Sequence, residues 1–168
     1  MEYYCITDTG LIREKNQDSY IAISNGYGDF LVLVADGIGG GRAGEVASGE
    51  TIKYFDDHFK DSGPFEKIED AISYIRYHIS CANKHIYELS SKYAEYAGMG
   101  TTITGILLTS HGTISINCGD SRVYGFIDDL YLSEMSWLPA LSLIPMRASW
   151  IGVISAFSPS TTALQPSA

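Results

Sequence analysis

The stretch from Leu31 to Ser48 constrains the fold more than any other, because an apolar run ends abruptly in a carboxylate and a glycine-rich turn. Residues 31–35 are β-forming or small apolar residues, which indicates a strand buried in a core. Asp36 and Gly37 follow directly, and a helix is predicted over residues 45–59. A carboxylate beside an unobstructed backbone carbonyl is the kind of oxygen donor set that hard divalent cations prefer. We therefore predict a metal site at the end of this strand.

The size and charge of the chain limit the classes of function to consider. Its 168 residues fit one domain with a single core. A net charge of −9 argues against nucleic acid as a partner, because phosphate binding needs a basic face. The three cysteines show no pairing pattern, which favours a reducing, cytoplasmic location. Neither a signal peptide nor an apolar stretch long enough to cross a bilayer is recognised, so no membrane association is expected.

Strand patterns are predicted at both ends of the acidic part of the chain, with two helices between them. The clearest element is the second helix, whose apolar stripe runs from Ile68 to Tyr93 and which Pro64 is expected to open. Because the strands are neighbours in sequence and the helices are segregated from them, the fold class is predicted to be α+β. The predicted strands cover residues 3–7, 20–24, 30–35, 101–109, 113–118 and 122–127.

Four short motifs follow one another along the chain: DTGLIREKNQD at residues 8–18, DGIGG at 36–40, GMGTT at 98–102 and GDSRVY at 119–124. In the same order, they resemble the motifs of the metal-dependent serine/threonine protein phosphatases known as the PPM or type 2C family. Each motif alone is weak, but four in order over about 130 residues form a specific signal. The resemblance implies an antiparallel β-sandwich flanked by helices, of which this chain supplies the N-terminal part.

The resemblance also implies a site and a chemistry. Asp36 and the Gly37 carbonyl match metal ligands, and Asp120 matches an aspartate of a further, weaker metal site. Arg13 matches the arginine that holds the substrate phosphate, a role suited to its bidentate fork. Asp18 matches the acid that supports the metal-bound waters. Two or more Mn²⁺ or Mg²⁺ ions would activate a water to hydrolyse phosphoserine and phosphothreonine in proteins. A cognate serine/threonine kinase in the same cell is expected as a partner.

Several of these residues could instead have a purely structural role. Asp36 could be a turn former or a displaced helix cap. Thr101 and Thr102 are expected to pack in a strand near the site, and Glu45 and Ser48 to serve the first turns of a helix. Residues 39–44 also satisfy the glycine pattern of a dinucleotide-binding module, although a second helix follows where that module needs a parallel strand.

The composition changes near residue 130, which divides the chain into two predicted regions. Residues 1–129 form the partial phosphatase domain, whereas residues 130–168 contain only two charged side chains, Glu134 and Arg147, and four of the five prolines. This tail is expected to be disordered or aberrant, without a regular apolar period. It contains no aspartate, although the family supplies further metal aspartates after the GDSR motif. The alternative function is therefore a truncated or frameshifted, inactive fragment that binds manganese weakly.

Overall fold

The computed structural model describes residues 2–11, 14–38, 43–127, 130–132, 140–144 and 151–155. Its central element is strand β2 (Phe30–Ile38), which forms an antiparallel hairpin with β1 (Asp18–Ser24). The turn between them uses Gly26 and Gly28, both with positive φ, as expected from the Asn25–Gly28 turn sequence. On its other side, β2 pairs with β3 (Gly100–Thr101) and β4 (Ile103–Thr109), again antiparallel.

Two antiparallel sheets result from these and the later strands. Strand β5 (Gly112–Cys118) extends the larger, six-stranded sheet beside β4, and β8 (Ala140–Ile144) pairs with β5. The smaller sheet has β6 (Arg122–Ile127) between β7 (Leu130–Leu132) and β9 (Ile151–Ser155). Strand β6 also contacts β4 and β5 of the larger sheet. The predicted α+β architecture of antiparallel sheets flanked by helices is confirmed.

Helices α1 (Gly44–Phe59) and α2 (Ile68–Lys92) are the two helices of the described part of the chain. A single turn of 3₁₀ helix, Ala94–Tyr96, follows α2. The core forms where both helices meet the larger sheet, and side chains from each layer are fully buried there, including Phe55, Phe59, Ile75, Leu31, Leu33, Leu107 and Ile114. Burial of this apolar surface stabilises the packing of helix on sheet.

Two local predictions were wrong. Residues 3–7 do not form a strand, because no neighbouring strand pairs with them in the described part of the chain. The segment instead packs through Tyr3, whose ring centroid lies 5.4 Å from that of Phe30. Helix α2 begins at Ile68 rather than at Pro64. The Phe65 side chain is buried against the Tyr74 ring, at 5.3 Å between centroids, and this contact places the segment before the helix in the core.

The segment 130–168 contributes strands β7, β8 and β9, each paired with a neighbour. Its other residues lie outside the described ones, so the predicted domain boundary at residue 129 and the predicted disorder of the tail stay predictions. Within the described ranges, neither helix combines the length and the apolar character that a bilayer crossing requires.

Candidate metal-binding site at the end of the central strands

Two carboxylates lie opposite each other where β1 begins and β2 ends. Asp18 and Asp36 are direct partners in the antiparallel register. Directly opposite residues of such a pair project from the same face of the sheet, with Cα atoms about 4.5–5.5 Å apart. Asp36 is buried, with 7% of its surface exposed, and Asp18 is half-buried. The structure therefore brings together two of the acids that the motifs single out.

The backbone of Asp36 is held by two threonines. The Asp36 N–H donates to Thr102 Oγ1 at 3.1 Å. Its carbonyl accepts from the Thr102 N–H at 2.9 Å and from Thr101 Oγ1 at 2.9 Å. These threonines were expected only to pack near the site. In the structure they form hydrogen bonds with the backbone N–H and carbonyl of Asp36. The GMGTT motif indicated that these threonines lie near the site, but the sequence alone does not predict that they contact Asp36.

Gly37 allows helix α1 to begin against the end of β2. A Cβ atom on Gly37 would overlap the backbone of Gly44 and lie 2.8 Å from the Gln17 carbonyl oxygen. The Gly37 N–H donates to that same oxygen at 3.0 Å. Ser48 Oγ, one turn into the helix, also donates to it at 2.6 Å. The Gln17 carbonyl thereby ties β1, β2 and α1 together beside Asp18.

An ion pair connects the first motif to the same helix. Lys15 Nζ lies 2.6 Å from Glu45 Oε1. The hydrogen bond from Lys15 lowers the pKa of the Glu45 carboxyl, and the bond to Glu45 raises the pKa of the Lys15 ammonium. Both groups are at the surface, where solvent screens such a pair. The pair therefore connects Lys15 of the first motif to the first turn of α1 at the surface.

Asp120 lies at the same end of the fold but is separate from the carboxylate pair. It is exposed in the turn between β5 and β6, where Gly119 has a φ of 121°. The next residue, Ser121, is buried, and its Oγ lies 2.8 Å from Thr102 Oγ1. Thr102 thus joins the turn of Asp120 to the peptide N–H of Asp36. Among the described residues, no group of three or more Asp, Glu, His or Cys side chains is close enough to hold a metal ion.

The donors present are suitable for a hard divalent cation. Asp18 and Asp36 would offer carboxylate oxygens and Gly37 a carbonyl oxygen, while Asp120 lies at the same end of the fold. Mg²⁺ commonly binds through one or two carboxylates and keeps several waters, so two facing carboxylates are an adequate protein contribution. Like charges placed directly opposite also repel, and a bound cation would offset that repulsion. Arg13, the predicted phosphate-holding residue, lies outside the described residues.

The topology around β2 argues against the dinucleotide-binding alternative. That module needs a parallel strand after the glycine turn and its helix. In this chain β2 is antiparallel to β1, β3 and β4, and α1 is followed by α2. Residues 39–42 of the glycine pattern lie outside the described residues. Asp36 is likewise not the helix cap, since α1 is preceded by Ala43 at its N-cap position.

The curated proteins that are similar to this chain are described as protein phosphatases. No family model matches the chain. It is 34% identical over 118 residues to the serine/threonine phosphatase stp of Listeria welshimeri serovar 6b, an alignment that covers 70% of this chain and 47% of the relative. It is 33% identical over 123 residues to a Streptococcus pyogenes serotype M6 protein described as of the protein phosphatase 2C type, covering 73% of this chain and 49% of that protein.

The solved structures agree with these relatives. The crystal structure of the serine/threonine phosphatase Stp1 from Staphylococcus aureus superposes with a TM-score of 0.69 at 31% identity, over 83% of this chain and 51% of that one. The chain therefore spans about half the length of the curated relatives it matches. The motif order, the antiparallel sheets with two flanking helices and these relatives lead to one conclusion. In its N-terminal region, this chain belongs to the PPM, or type 2C, family of serine/threonine protein phosphatases.

Proposed function

We propose that the protein hydrolyses phosphoserine and phosphothreonine in other proteins, with the help of Mn²⁺ or Mg²⁺. The observation that carries this proposal is the pair of facing carboxylates, Asp18 and Asp36, at the end of β1 and β2. The names of the relatives, which are serine/threonine phosphatases, support the same reaction and the same class of substrate.

In the proposed reaction, the oxygen of a water attacks the phosphorus and the ester P–O bond breaks. The products are inorganic phosphate and the free serine or threonine hydroxyl. Divalent cations would screen the phosphoryl oxygens and lower the pKa of the attacking water. Asp36 and the Gly37 carbonyl would hold the cations, Asp18 would support the metal-bound waters, and Asp120 would contribute to a weaker site. Arg13 would bind the phosphate through its guanidinium group.

The leaving oxygen must gain a proton, and among the described residues at the end of β2 there is no histidine for this step. Ile38 occupies the position where some members of the family have a histidine, and its side chain is 57% exposed. We infer that water supplies the proton. The rate would then fall less steeply at high pH than in a relative that uses a histidine acid.

The partners follow from the substrate. Phosphorylated proteins are the proposed substrates, and a serine/threonine kinase that phosphorylates them is the proposed opposing enzyme. A cytoplasmic location is proposed because the three cysteines are free thiols in the structure and disulfides are rare in reducing compartments. The acidic net charge of −9 supports neither nucleic acid nor an anionic membrane surface as a partner.

Manganese-dependent hydrolysis of a small aryl phosphate tests this proposal. Asp36→Asn should lower the rate at least about 100-fold, because even the loss of a group that supports a metal ligand often costs 10- to 100-fold. Asp29→Asn is the matched control. Asp29 is also buried, at 3% exposure, and accepts a hydrogen bond from Asn25 that an asparagine can still accept. It lies seven residues from Asp36 along the hairpin, roughly 24 Å in an extended strand.

A manganese-dependent rate that Asp36→Asn removes and Asp29→Asn retains supports the proposal, even if that rate is low. The alternative, an inactive fragment, predicts no hydrolysis by the unaltered chain. It is motivated by the lack of any aspartate after Asp129. Equal rates in the unaltered chain and in Asp36→Asn would contradict the proposed site.

A further inference from the structure

An apolar cavity lies between helix α2 and the segment around β3 and β4. Its volume is about 330 Å³. The walls are mainly aliphatic and include Ile79, Ala82, Ile86, Met99 and Ile103. The polar residues that line it, such as Asn83 and Ser90, are uncharged, and none of its lining residues in the described part of the chain carries a formal charge. We refer to this space as the apolar cavity.

The mouth of the apolar cavity lies at the same end of the sheet as the candidate metal site. Ile38, exposed at the mouth, is two residues after Asp36, and Cys118, also exposed, is two residues before Asp120. Within β2, the two residues from Asp36 to Ile38 span about 7 Å of extended strand. Thr101 lines the cavity and donates its hydroxyl to the Asp36 carbonyl. The cavity is on the helix side of the sheet, so the two sites meet at the strand end.

The chemistry of the apolar cavity contrasts with the charge of the chain. A net charge of −9 would attract basic side chains to most of the surface. Among the lining residues that the structure describes there is no carboxylate to pair with a basic group, and burying an unpaired charge there would be unfavourable. Its volume is at the lower limit of small-molecule sites, which is about 300 Å³. One bulky apolar side chain is the occupant that fits both its size and its lack of charge.

We infer that the apolar cavity binds a bulky apolar side chain of the phosphoprotein substrate, such as Phe or Leu, close in sequence to the phosphorylated residue. This inference rests on the proposed phosphatase function and adds a preference for certain substrates. An extended peptide advances about 3.3 Å per residue, so the apolar residue should lie two to four positions from the phosphorylated one to cross the strand end.

Alkylation of Cys118 by iodoacetamide provides a test that does not depend on activity. The probes are peptides that carry a phosphonate in place of the phosphoserine phosphate and therefore cannot be hydrolysed. Phe, Ala or Arg is placed at each position from two to four on either side. With manganese present, mass spectrometry follows Cys118 and, as an internal control, Cys5, which does not line the cavity.

The best Phe peptide should protect Cys118 at concentrations about tenfold lower than its Ala or Arg counterpart, the factor expected for burying most of one large apolar side chain. Cys5 should react at an unchanged rate. Tyr87→Ala, which removes a ring at the mouth, should weaken this protection. Tyr77→Ala is the matched control, since both tyrosines are exposed on α2 (64% for Tyr77 and 71% for Tyr87) and Tyr77 does not line the cavity.

Several results would overturn the inference. Equal protection by the Phe, Ala and Arg peptides, or by none of them, would show no apolar preference. Unchanged protection in Tyr87→Ala would place the apolar side chain elsewhere. Slow Cys118 alkylation without any peptide would show that the chain itself fills the cavity, and alkylation that slows with protein concentration would identify a second copy as the occupant.

The aryl phosphate assay separates this inference from the proposed function. A manganese-dependent rate without selective protection of Cys118 leaves the phosphatase proposal standing and rejects the apolar cavity as a substrate site. Selective protection without any hydrolysis supports the binding of phosphorylated peptides and counts against activity in this chain.

Discussion

At the scale of single residues, the junction between β2 and α1 depends on glycine for space. The Gly37 and Gly44 backbones approach so closely that a methyl group on Gly37 would overlap the Gly44 peptide. The Gly37 carbonyl is also a proposed metal ligand. Steric demand and ligand position therefore coincide at one residue, and a substitution there should affect both stability and the site.

Gly37→Ala should destabilise the fold by about 1–3 kcal/mol, the usual cost of inserting a group into a closely packed region. Gly49→Ala is the matched control, because Gly49 lies inside α1 and a Cβ there would meet nothing within 4 Å. The control should be stabilised by about 0.5–1 kcal/mol, since alanine favours a helix interior over glycine. Urea unfolding of both variants measures the difference. A Gly37→Ala chain as stable as the unaltered one would contradict the described junction.

Thr102 is the residue that connects the candidate ligands. Its hydroxyl contacts the Asp36 N–H and the buried Ser121 hydroxyl. Thr102→Val should cost about 1–3 kcal/mol by leaving these partners unsatisfied. It should also weaken manganese binding about 10- to 100-fold, as expected for a group that orients a ligand.

Thr104→Val separates the two effects. Thr104 is also fully buried on β4, but its hydroxyl donates to the Ile116 carbonyl at 3.2 Å, away from Asp36. Both variants should lower the free energy of unfolding, while calorimetry should show weaker manganese binding only for Thr102→Val. Equal manganese affinities in the two variants would reject a role for Thr102 in orienting Asp36.

At the scale of elements, the contact between α1 and α2 contains a buried histidine. His78, on α2, is surrounded by aromatic rings, and its Nδ1 lies 3.0 Å from the Tyr54 hydroxyl of α1. The His58 ring of α1 lies 5.3 Å away. Burial lowers the pKa of His78 from its ordinary value, and the nearby His58 lowers it further. The packed helices therefore favour neutral His78.

This contact predicts lower stability in mild acid. The unfolded chain binds a proton at His78 near pH 6.5, whereas the folded chain binds it only at lower pH. The stability contributed by neutral His78 is thus complete above pH 6.5 and is lost as the pH falls through the folded value. Urea midpoints at pH 7.5 and 5.5 should show this loss. His78→Gln should reduce it, whereas His111→Gln, at an exposed turn, should not. An unchanged pH dependence in His78→Gln would refute this assignment.

The elements show what the sequence could and could not predict. Helix α2 was predictable because its apolar stripe keeps a helical period from Ile68 onward. The position of Asp36 in a buried strand was predictable because the apolar run of residues 31–35 comes directly before it. Its role as a metal ligand stays a prediction, motivated by the cost of burying a carboxylate without a cation or hydrogen-bond donors. The pairing of Asp18 with Asp36 was not predictable, because it depends on the register of the β1–β2 hairpin. The contact between Thr102 and Ser121 was not predictable either, because tertiary packing brings together residues that are 19 apart in the sequence.

At the scale of the whole molecule, the helices and the larger sheet bury one main apolar core, and Ala47, Ile86 and Met99 form a second, smaller cluster. The candidate ligands lie at one end of the larger sheet. Strands β8 and β9 add a region of different composition to the two sheets. The sequence of that region has no alternation of apolar and polar residues that would predict strands. An existing sheet edge offers unpaired backbone groups to a neighbouring segment, and β propensity alone is weak evidence for such pairing. The candidate metal site lies wholly in the first region, which contains Asp18, Asp36, Gly37 and Asp120.

Manganese binding by Asp18 and Asp36 tests the central claim most directly, and electron paramagnetic resonance of free Mn²⁺ measures it. We expect weak binding by the unaltered chain, at least about tenfold weaker binding by Asp18→Asn and by Asp36→Asn, and no change in Asp29→Asn. The double variant should bind more tightly than the product of the single losses predicts, since residues that share a ligand are not additive. Binding by Asp36→Asn equal to that of the unaltered chain would contradict the account.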